Sequence, residues 1–306
     1  MKYIFLLFSI LSFTAEAQQK IYAFSYFKGN GEDGLHFAYS RDGYQWTALN
    51  KDSSYLTPKV AKDKLMRDPC IIRGEDGKFH MVWTVSWNDK GIGYASSTDL
   101  VHWSEQEFIP VMAHEPEAKN CWAPEITYDK KSKLYVIYWA TTIPGRFQEG
   151  DTSGDAKYNH RMYYVQTRDF KNFSDTKLLF DPGFNCIDAT IVTNGNKYLI
   201  FIKDETRYPP QKNIRLGTAK SLPGNFTLEA KPITGNYWAE GPTLLKTSDK
   251  WILYFDKYTQ HKYGALESTN NGKDWKDVSD KLVMPVGIRH GSVFEISEQE
   301  LQGLFR

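Results

Sequence analysis

The sequence predicts an all-β protein built as a five-bladed β-propeller. Three observations predict it. A short motif recurs five times at near-constant spacing, an alternating aromatic-rich run follows each of the first four copies, and a polar-then-aromatic mark recurs in each unit. The composition agrees, since 9 Trp, 19 Tyr and 18 Phe make 15% of the chain aromatic, and 22 Gly with 13 Pro supply turns.

The five copies are Arg67-Asp68-Pro69-Cys70-Ile71-Ile72, Trp122-Ala123-Pro124-Glu125-Ile126, Ile187-Asp188-Ala189-Thr190-Ile191-Val192, Glu240-Gly241-Pro242-Thr243-Leu244-Leu245 and His290-Gly291-Ser292-Val293-Phe294. Aligned on Pro69, Pro124, Ala189, Pro242 and Ser292, they lie 55, 65, 53 and 50 residues apart. Such a period, with room for about four strands per unit, is that of propeller blades. The following strands are placed at 79–84, 134–139, 198–202 and 251–255 from their period-2 pattern. The second mark falls at 40–46, 97–103, 167–173, 221–226 and 268–275. Its polar turn residues and terminal Trp or Phe fit an outer hairpin anchored to the blade by the aromatic ring.

The ends decide how the ring closes. The fifth motif is C-terminal, while the first outer mark is N-terminal. Strands within 21–46 therefore complete the blade begun at 289–296, which removes the open edges. Two separate β-sandwiches are the rival arrangement, but no linker-like stretch divides the chain. Residues 18–306 are expected to form a single propeller domain. The longest irregular piece, 144–159, is expected as a loop inside the second blade that walls one side of a cleft.

Residues 1–17 have the pattern of a secretory signal. Lys2 is followed by an apolar run over 4–13 broken by Ser9 and Ser12, and Ala15-Glu16-Ala17 fits small-x-small cleavage. The apolar stretch is too short to span a bilayer as a mature helix. Export to the periplasm or the extracellular space is expected, without membrane insertion. Cys70, Cys121 and Cys186 match no zinc spacing, and an odd count leaves at least one thiol outside any internal disulfide. Burial as small apolar groups at the inner-strand phase is expected for all three. The formal charge of +1, from 38 Lys+Arg against 37 Asp+Glu, argues against a nucleic acid as the main partner.

In a propeller the first strand of each blade lines the central axis, so residues at one repeat phase gather at one mouth. Asp68, Asp188 and Glu240 stand one or two residues before the alignment point, on three blades, and Glu125 stands one residue after it. Carboxylates converging this way are what glycoside hydrolysis needs: one acid protonates the leaving oxygen and another acts from the opposite face. A third raises the acid's pKa by like-charge repulsion. The bland alternative is that propeller acids brace turns through backbone amides. Trp87, Trp122 and Trp238 flank inner strands and are candidates to stack on a sugar ring. Arg215 and Arg289 are candidates to hydrogen-bond an acid or a sugar hydroxyl, and equally to brace blades. His290 is placed near the axis, facing the site or held in the core.

The ordered motifs Arg67-Asp68-Pro69, Trp122-Ala123-Pro124-Glu125-Ile126, Ile187-Asp188, Glu240-Gly241-Pro242 and Arg289-His290-Gly291 resemble those of family-43 glycoside hydrolases over essentially the whole mature chain. The resemblance implies a five-bladed propeller and inverting hydrolysis. By position, Asp68 resembles the general base, Asp188 the orienting acid and Glu240 the general acid. Glu125 stands where Asp is commoner, and Ala189 where Pro is. No cofactor is required on this resemblance; a structural calcium near His290, as in some relatives, is the one ion it implies.

The expected activity is an exo-acting α-L-arabinofuranosidase on plant-type oligo- or polysaccharides, from a monomeric protein. β-Xylosidase and exo-β-galactanase are the alternatives within the family, and a carbohydrate-binding propeller without turnover is the alternative outside it. The 268–275 segment resembles a sialidase Asp-box turn with Asn at the Asp position, yet five blades are counted and no basic triad is present. A fructan hydrolase shares Arg67-Asp68-Pro69, but its other motifs are missing.

Overall fold

The computed structural model describes residues 20–147 and 157–305. The expected signal, 1–17, and residues 148–156 of the expected loop lie outside the described residues. Strands β1 (Ile21–Tyr26), β2 (His36–Ser40) and β3 (Thr47–Ala48) open the chain. The first complete blade is β4 (Arg67–Arg73), β5 (Phe79–Thr84), β6 (Ile92–Ser97) and β7 (Glu107–Ile109). The second is β8 (Trp122–Asp129), β9 (Leu134–Thr142), β10 (His160–Thr167) and β11 (Lys177–Phe180). The third is β12 (Cys186–Asn194), β13 (Lys197–Asp204), β14 (Asn213–Ala219) and β15 (Thr227–Leu228). The fourth is β16 (Glu240–Lys246), β17 (Trp251–Lys257), β18 (Lys262–Ser268) and β19 (Lys276–Asp277). Strand β20 (Ser292–Ile296) then pairs with β1, giving a fifth sheet in the order β20-β1-β2-β3. Five antiparallel four-stranded sheets and the closing blade are thus as the repeat predicts.

The middle strands differ from a simple alternation of buried and exposed residues. Strand β5 is buried at every position, as is nearly all of β17. The alternation instead distributes side chains between two neighbours. Phe79, Met81 and Trp83 pack toward the closing blade, whereas Val82 packs toward the second. Tyr135, Ile137 and Trp139 face the first blade, whereas Val136, Tyr138 and Ala140 face the third. Ile252 and Tyr254 face the closing blade, while Trp251, Leu253 and Phe255 face the third. Burial on both faces explains the unbroken apolar content of these strands.

The outer marks form a repeated turn. Ser40 Oγ accepts from Gly43 N, Asp42 Oδ1 accepts from Tyr44 N and Gln45 N, and Trp46 Nε1 donates to Gly43 O. Ser97, Asp99 and Trp103 repeat the pattern around Leu100, and Thr167 with Asp169 repeats it around Phe170. Ser268 and Asn270 do the same at the fourth blade, so the Asp-box-like segment is one member of a structural series.

Helix α1 (Glu298–Leu304) follows β20, starting from a capping box between Ser297 and Glu300. Its Leu301 and Leu304 bury against the first inter-blade core, and Glu300 pairs with Arg73 at the far end of β4. The helix therefore sits at the end of the ring away from the acids. Among the described residues no helix is long and apolar enough to cross a membrane. Cys70, Cys121 and Cys186 are all buried, and none forms a disulfide.

Candidate active site

The inner strands begin with a shared irregularity. Asp68, Ala123, Asp188 and Gly241 hold positive φ values of 51°, 46°, 51° and 58°. At each of them the register with the second strand slips. Such bulges bend a strand and re-aim a side chain. Three are followed by Pro69, Pro124 and Pro242, which a bulge tolerates because no ladder bond is required there. Gly241 is needed for a second reason: a β-carbon there would overlap the His290 imidazole.

The bulges bring the expected acids to one mouth. Thr84 Oγ1 donates to Asp68 Oδ2 at 2.8 Å, and His290 Nδ1 lies 3.3 Å from Asp68 Oδ1. The same His290 nitrogen is 3.9 Å from Asp188 Oδ2, which accepts from Gly241 N at 3.1 Å. Glu240 accepts from Lys203 Nζ at 2.9 Å and from Arg289 at 3.0 Å. Arg289 also donates to Asp256 Oδ2 at 2.8 Å. Asp68 and Glu240 remain partly open, with side-chain exposures of 12% and 17%, whereas Asp188 is buried.

Three of these partners were not foreseen from the sequence: Thr84, Lys203 and Asp256. They share one position. In register, Arg67 faces Thr84, Ile187 faces Lys203 and Glu240 faces Asp256. The second strands thus supply a ring of polar residues beside the acids. The available signal was a polar residue directly after each apolar run, at Lys203 and Asp256.

The charges sort the acids. Burial pushes the Asp68 carboxyl up, but the hydrogen bond and charge of His290, with Arg67 and Thr84, outweigh it and hold it at about 2. Burial raises Asp188 to about 6; His290 and Lys203 oppose the rise, and the Glu240 and Asp68 charges add to it. Burial also raises Glu240, yet Lys203, Arg289 and His290 more than reverse this and hold it below the ordinary range. The like-charge elevation expected at Glu240 therefore falls on Asp188, because the two cations sit against Glu240. Burial lowers His290, but Asp188 and Asp68 raise it to about 9, so it is a cation at neutral pH.

The other expected residues divide. Trp87 and Trp122 meet edge to face at 5.5 Å, and the Arg67 guanidinium lies 4.3 Å from the Trp87 ring centroid, so this aromatic pair flanks Asp68. Tyr158 lies 4.8 Å from Trp122 and extends the aromatic cluster. Trp238 lies 5.9 Å from the ring of Tyr258, which in turn covers Lys203. Arg289 joins the site. Arg215 does not: it donates to the carbonyl oxygens of Glu229 and Ala230 and lies 3.6 Å from Asp204, bracing the third blade. Glu125 is buried in the channel wall, hydrogen-bonded to Tyr138 and Thr190. Burial raises its carboxyl to about 7.

A calcium ion near His290 would take six to eight oxygen ligands, most of them waters; in this structure the His290 Nδ1 itself lies 3.3 Å from Asp68 Oδ1 and 3.9 Å from Asp188 Oδ2. Among the described residues no group of three or more His, Cys, Asp or Glu is arranged to hold a metal.

A cavity of about 710 Å³ opens beside Arg289 and Asp256, lined also by Tyr258, Tyr263, Met284 and Val286. A closed five-bladed ring with three carboxylates on separate inner strands at one mouth defines the class of the propeller glycosyl hydrolases. Residues 18–302 match the family model described as "Probable glycosyl hydrolase domain", related to family 43. The chain belongs to that family. An α-L-arabinofuranosidase of Bifidobacterium longum is 26% identical over 188 residues, covering 54% of this chain and 17% of that protein. The solved α-L-arabinofuranosidase of Lactobacillus brevis superposes with a TM-score of 0.53 at 19% identity, covering 70% of this chain and 72% of that one. A solved β-xylosidase gives a TM-score of 0.54 at 12% identity, covering 69% and 77%. At these identities the structural likeness shows the shared fold.

Proposed function

We propose that the chain is an exported, inverting glycoside hydrolase, acting as an exo α-L-arabinofuranosidase on neutral plant-type saccharides. The observation that carries the reading is the junction at His290, where Asp68 and Asp188 meet one imidazole and Glu240 lies on the neighbouring strand start. Export rests on residues 1–17, and residues 18–306 are taken as one catalytic propeller working as a monomer. The 26% identical relative favours arabinofuranosides over xylosides or galactosides.

In the mechanism, Asp68 is ionised at neutral pH and takes a proton from water as the water oxygen bonds to the anomeric carbon. The glycosidic C–O bond breaks, and its oxygen receives a proton from Glu240. Attack opposite the departing group inverts the anomeric centre. Glu240 must first hold a proton, and a sugar that separates it from Arg289 removes one of the charges that keep it ionised. Asp188 accepts from the amide that follows Glu240 and so orients that strand start. The Trp87–Trp122 pair offers a ring face beside the base.

The test is hydrolysis of aryl α-L-arabinofuranoside, β-xyloside and β-galactoside, with proton NMR of the first-formed sugar. Release of arabinose with the inverted anomer appearing first is expected. Retention would remove the base role of Asp68. Silence on all substrates, with polysaccharide binding kept, would make the chain a binding propeller.

A further inference from the structure

We infer that Glu125 is a positioning residue that works as a neutral carboxylic acid: it gives its proton to Thr190, so that Thr190 can hold the backbone beside the acid Glu240. This deepens the proposed reading of Glu240 and rests on it. Thr190 Oγ1 lies 2.6 Å from Glu125 Oε1 and is hydrogen-bonded to the carbonyl oxygen of Pro242 as well. Oxygen atoms this close need a proton between them. Two such contacts need two protons. The threonine hydroxyl has one, and a proline carbonyl has none. The second proton therefore sits on Glu125. Its other oxygen, Oε2, accepts from Tyr138 Oη at 3.1 Å, and that hydroxyl in turn accepts from Ile191 N at 2.9 Å. With the proton on Oε1, each of these contacts has one donor and one acceptor.

The surroundings keep that proton in place. Glu125 is buried and enters from β8 of the second blade. It faces Tyr138 from β9, Asp188 and Thr190 from β12, Cys70 from β4, and His290 before β20. Tyr138 and Cys70 are neutral, because burial pushes both well above their ordinary values. Asp188 adds negative charge, and the one cation, His290, lies 3.3 Å from Asp68. Burial lifts the Glu125 carboxyl to about 7, in agreement with the proton count. The effect reaches the acid through β12. Asp188 holds Gly241 N and Thr190 holds Pro242 O, so two side chains of one strand grip consecutive residues of β16. Both residues directly follow Glu240. An ionised Glu125 would draw the only Thr190 proton to itself and free the Pro242 carbonyl.

Infrared difference spectra and kinetics test the two halves separately. At about pH 6, subtracting the Glu125→Gln spectrum from that of the parent should leave the C=O stretch of a buried carboxylic acid. A carboxylate band in its place, or no difference, would overturn the neutral acid. On arabinotriose, Glu125→Ala and Thr190→Val should each lower kcat about 10- to 100-fold. Glu125→Gln, whose amide can donate to Thr190 and accept from Tyr138, should stay within about fivefold of the parent. On 4-nitrophenyl α-L-arabinofuranoside, whose leaving group departs without a proton, Glu125→Ala and Thr190→Val should also stay within about fivefold. Equal losses on both substrates, or none on arabinotriose, would overturn the positioning role. A Glu125→Gln loss as large as that of Glu125→Ala would overturn it too. If Glu125→Ala does not fold, Thr190→Val carries the comparison. If the parent protein hydrolyses neither substrate, the reading of Glu240 as the acid fails separately and the positioning role falls with it, while the infrared band still decides whether Glu125 is neutral.

Discussion

Asp188 and Gly241 are tied across two blades: the Asp188 carboxylate accepts the Gly241 backbone N–H at 3.1 Å. Because Gly241 follows Glu240, this bond sets where the Glu240 side chain leaves its strand. Asp188→Asn keeps an acceptor oxygen but removes the charge. We expect kcat to fall by roughly two orders of magnitude while the melting temperature holds. The pH profile separates positioning from simple damage, since the ionisation near 6 contributed by Asp188 should be lost from the variant while the one that burial gives Asp256 remains.

Asp68→Asn and Glu240→Gln should each lower turnover by about 10²- to 10⁴-fold. The two differ with the leaving group. Nitrophenolate departs without a proton, so Glu240→Gln should lose far less on a nitrophenyl glycoside than on an oligosaccharide. Asp68→Asn should lose equally on both. The opposite pattern would exchange the two roles.

His290 makes stability depend on pH. Its folded pKa, about 9, is raised above the ordinary histidine value of 6.5 by Asp188 and Asp68. The stabilisation is therefore complete below about pH 6.5 and is lost as the pH climbs through 9. Its size is on the order of 3 kcal/mol. Denaturant unfolding at pH 6 and pH 9.5 should show this drop, and His290→Asn should flatten it.

Gly241→Ala should abolish activity and destabilise the fold, because φ is +58° and the new methyl overlaps His290. Gly77→Ala is the control: φ is +80° there, but nothing lies within 4 Å of the added carbon. The control should cost only the left-handed strain, about 1–2 kcal/mol, with kcat unchanged.

The repeat made the blade number, the closing strands and the gathered acids legible. It did so because inner strands lie closest to the axis, where spacing and residue type are most constrained. Thr84, Lys203 and Asp256 were not picked out because a polar residue at the close of an apolar run marks the edge of a buried stretch without showing that it reaches the acids. The bulges escaped as well. Asp68, Ala123 and Asp188 adopt positive φ without being glycine, so no residue type announces them. Arg215 shows the reverse failure. A lone Arg in a strand carries no information on which face it leaves, and here it leaves toward the carbonyls of Glu229 and Ala230.

The pairing of β1 with β20 also sets an order of events in folding. Ser25 and Ser292 meet across 267 residues, so this contact carries a large loop-closure cost and forms late. His290 lies directly before β20, and it is the group that joins Asp68 to Asp188. The last strand to dock therefore delivers the residue that assembles the acids. A refolding chain should regain most of its strand signal before it regains any turnover, which makes the onset of activity a reporter of ring closure.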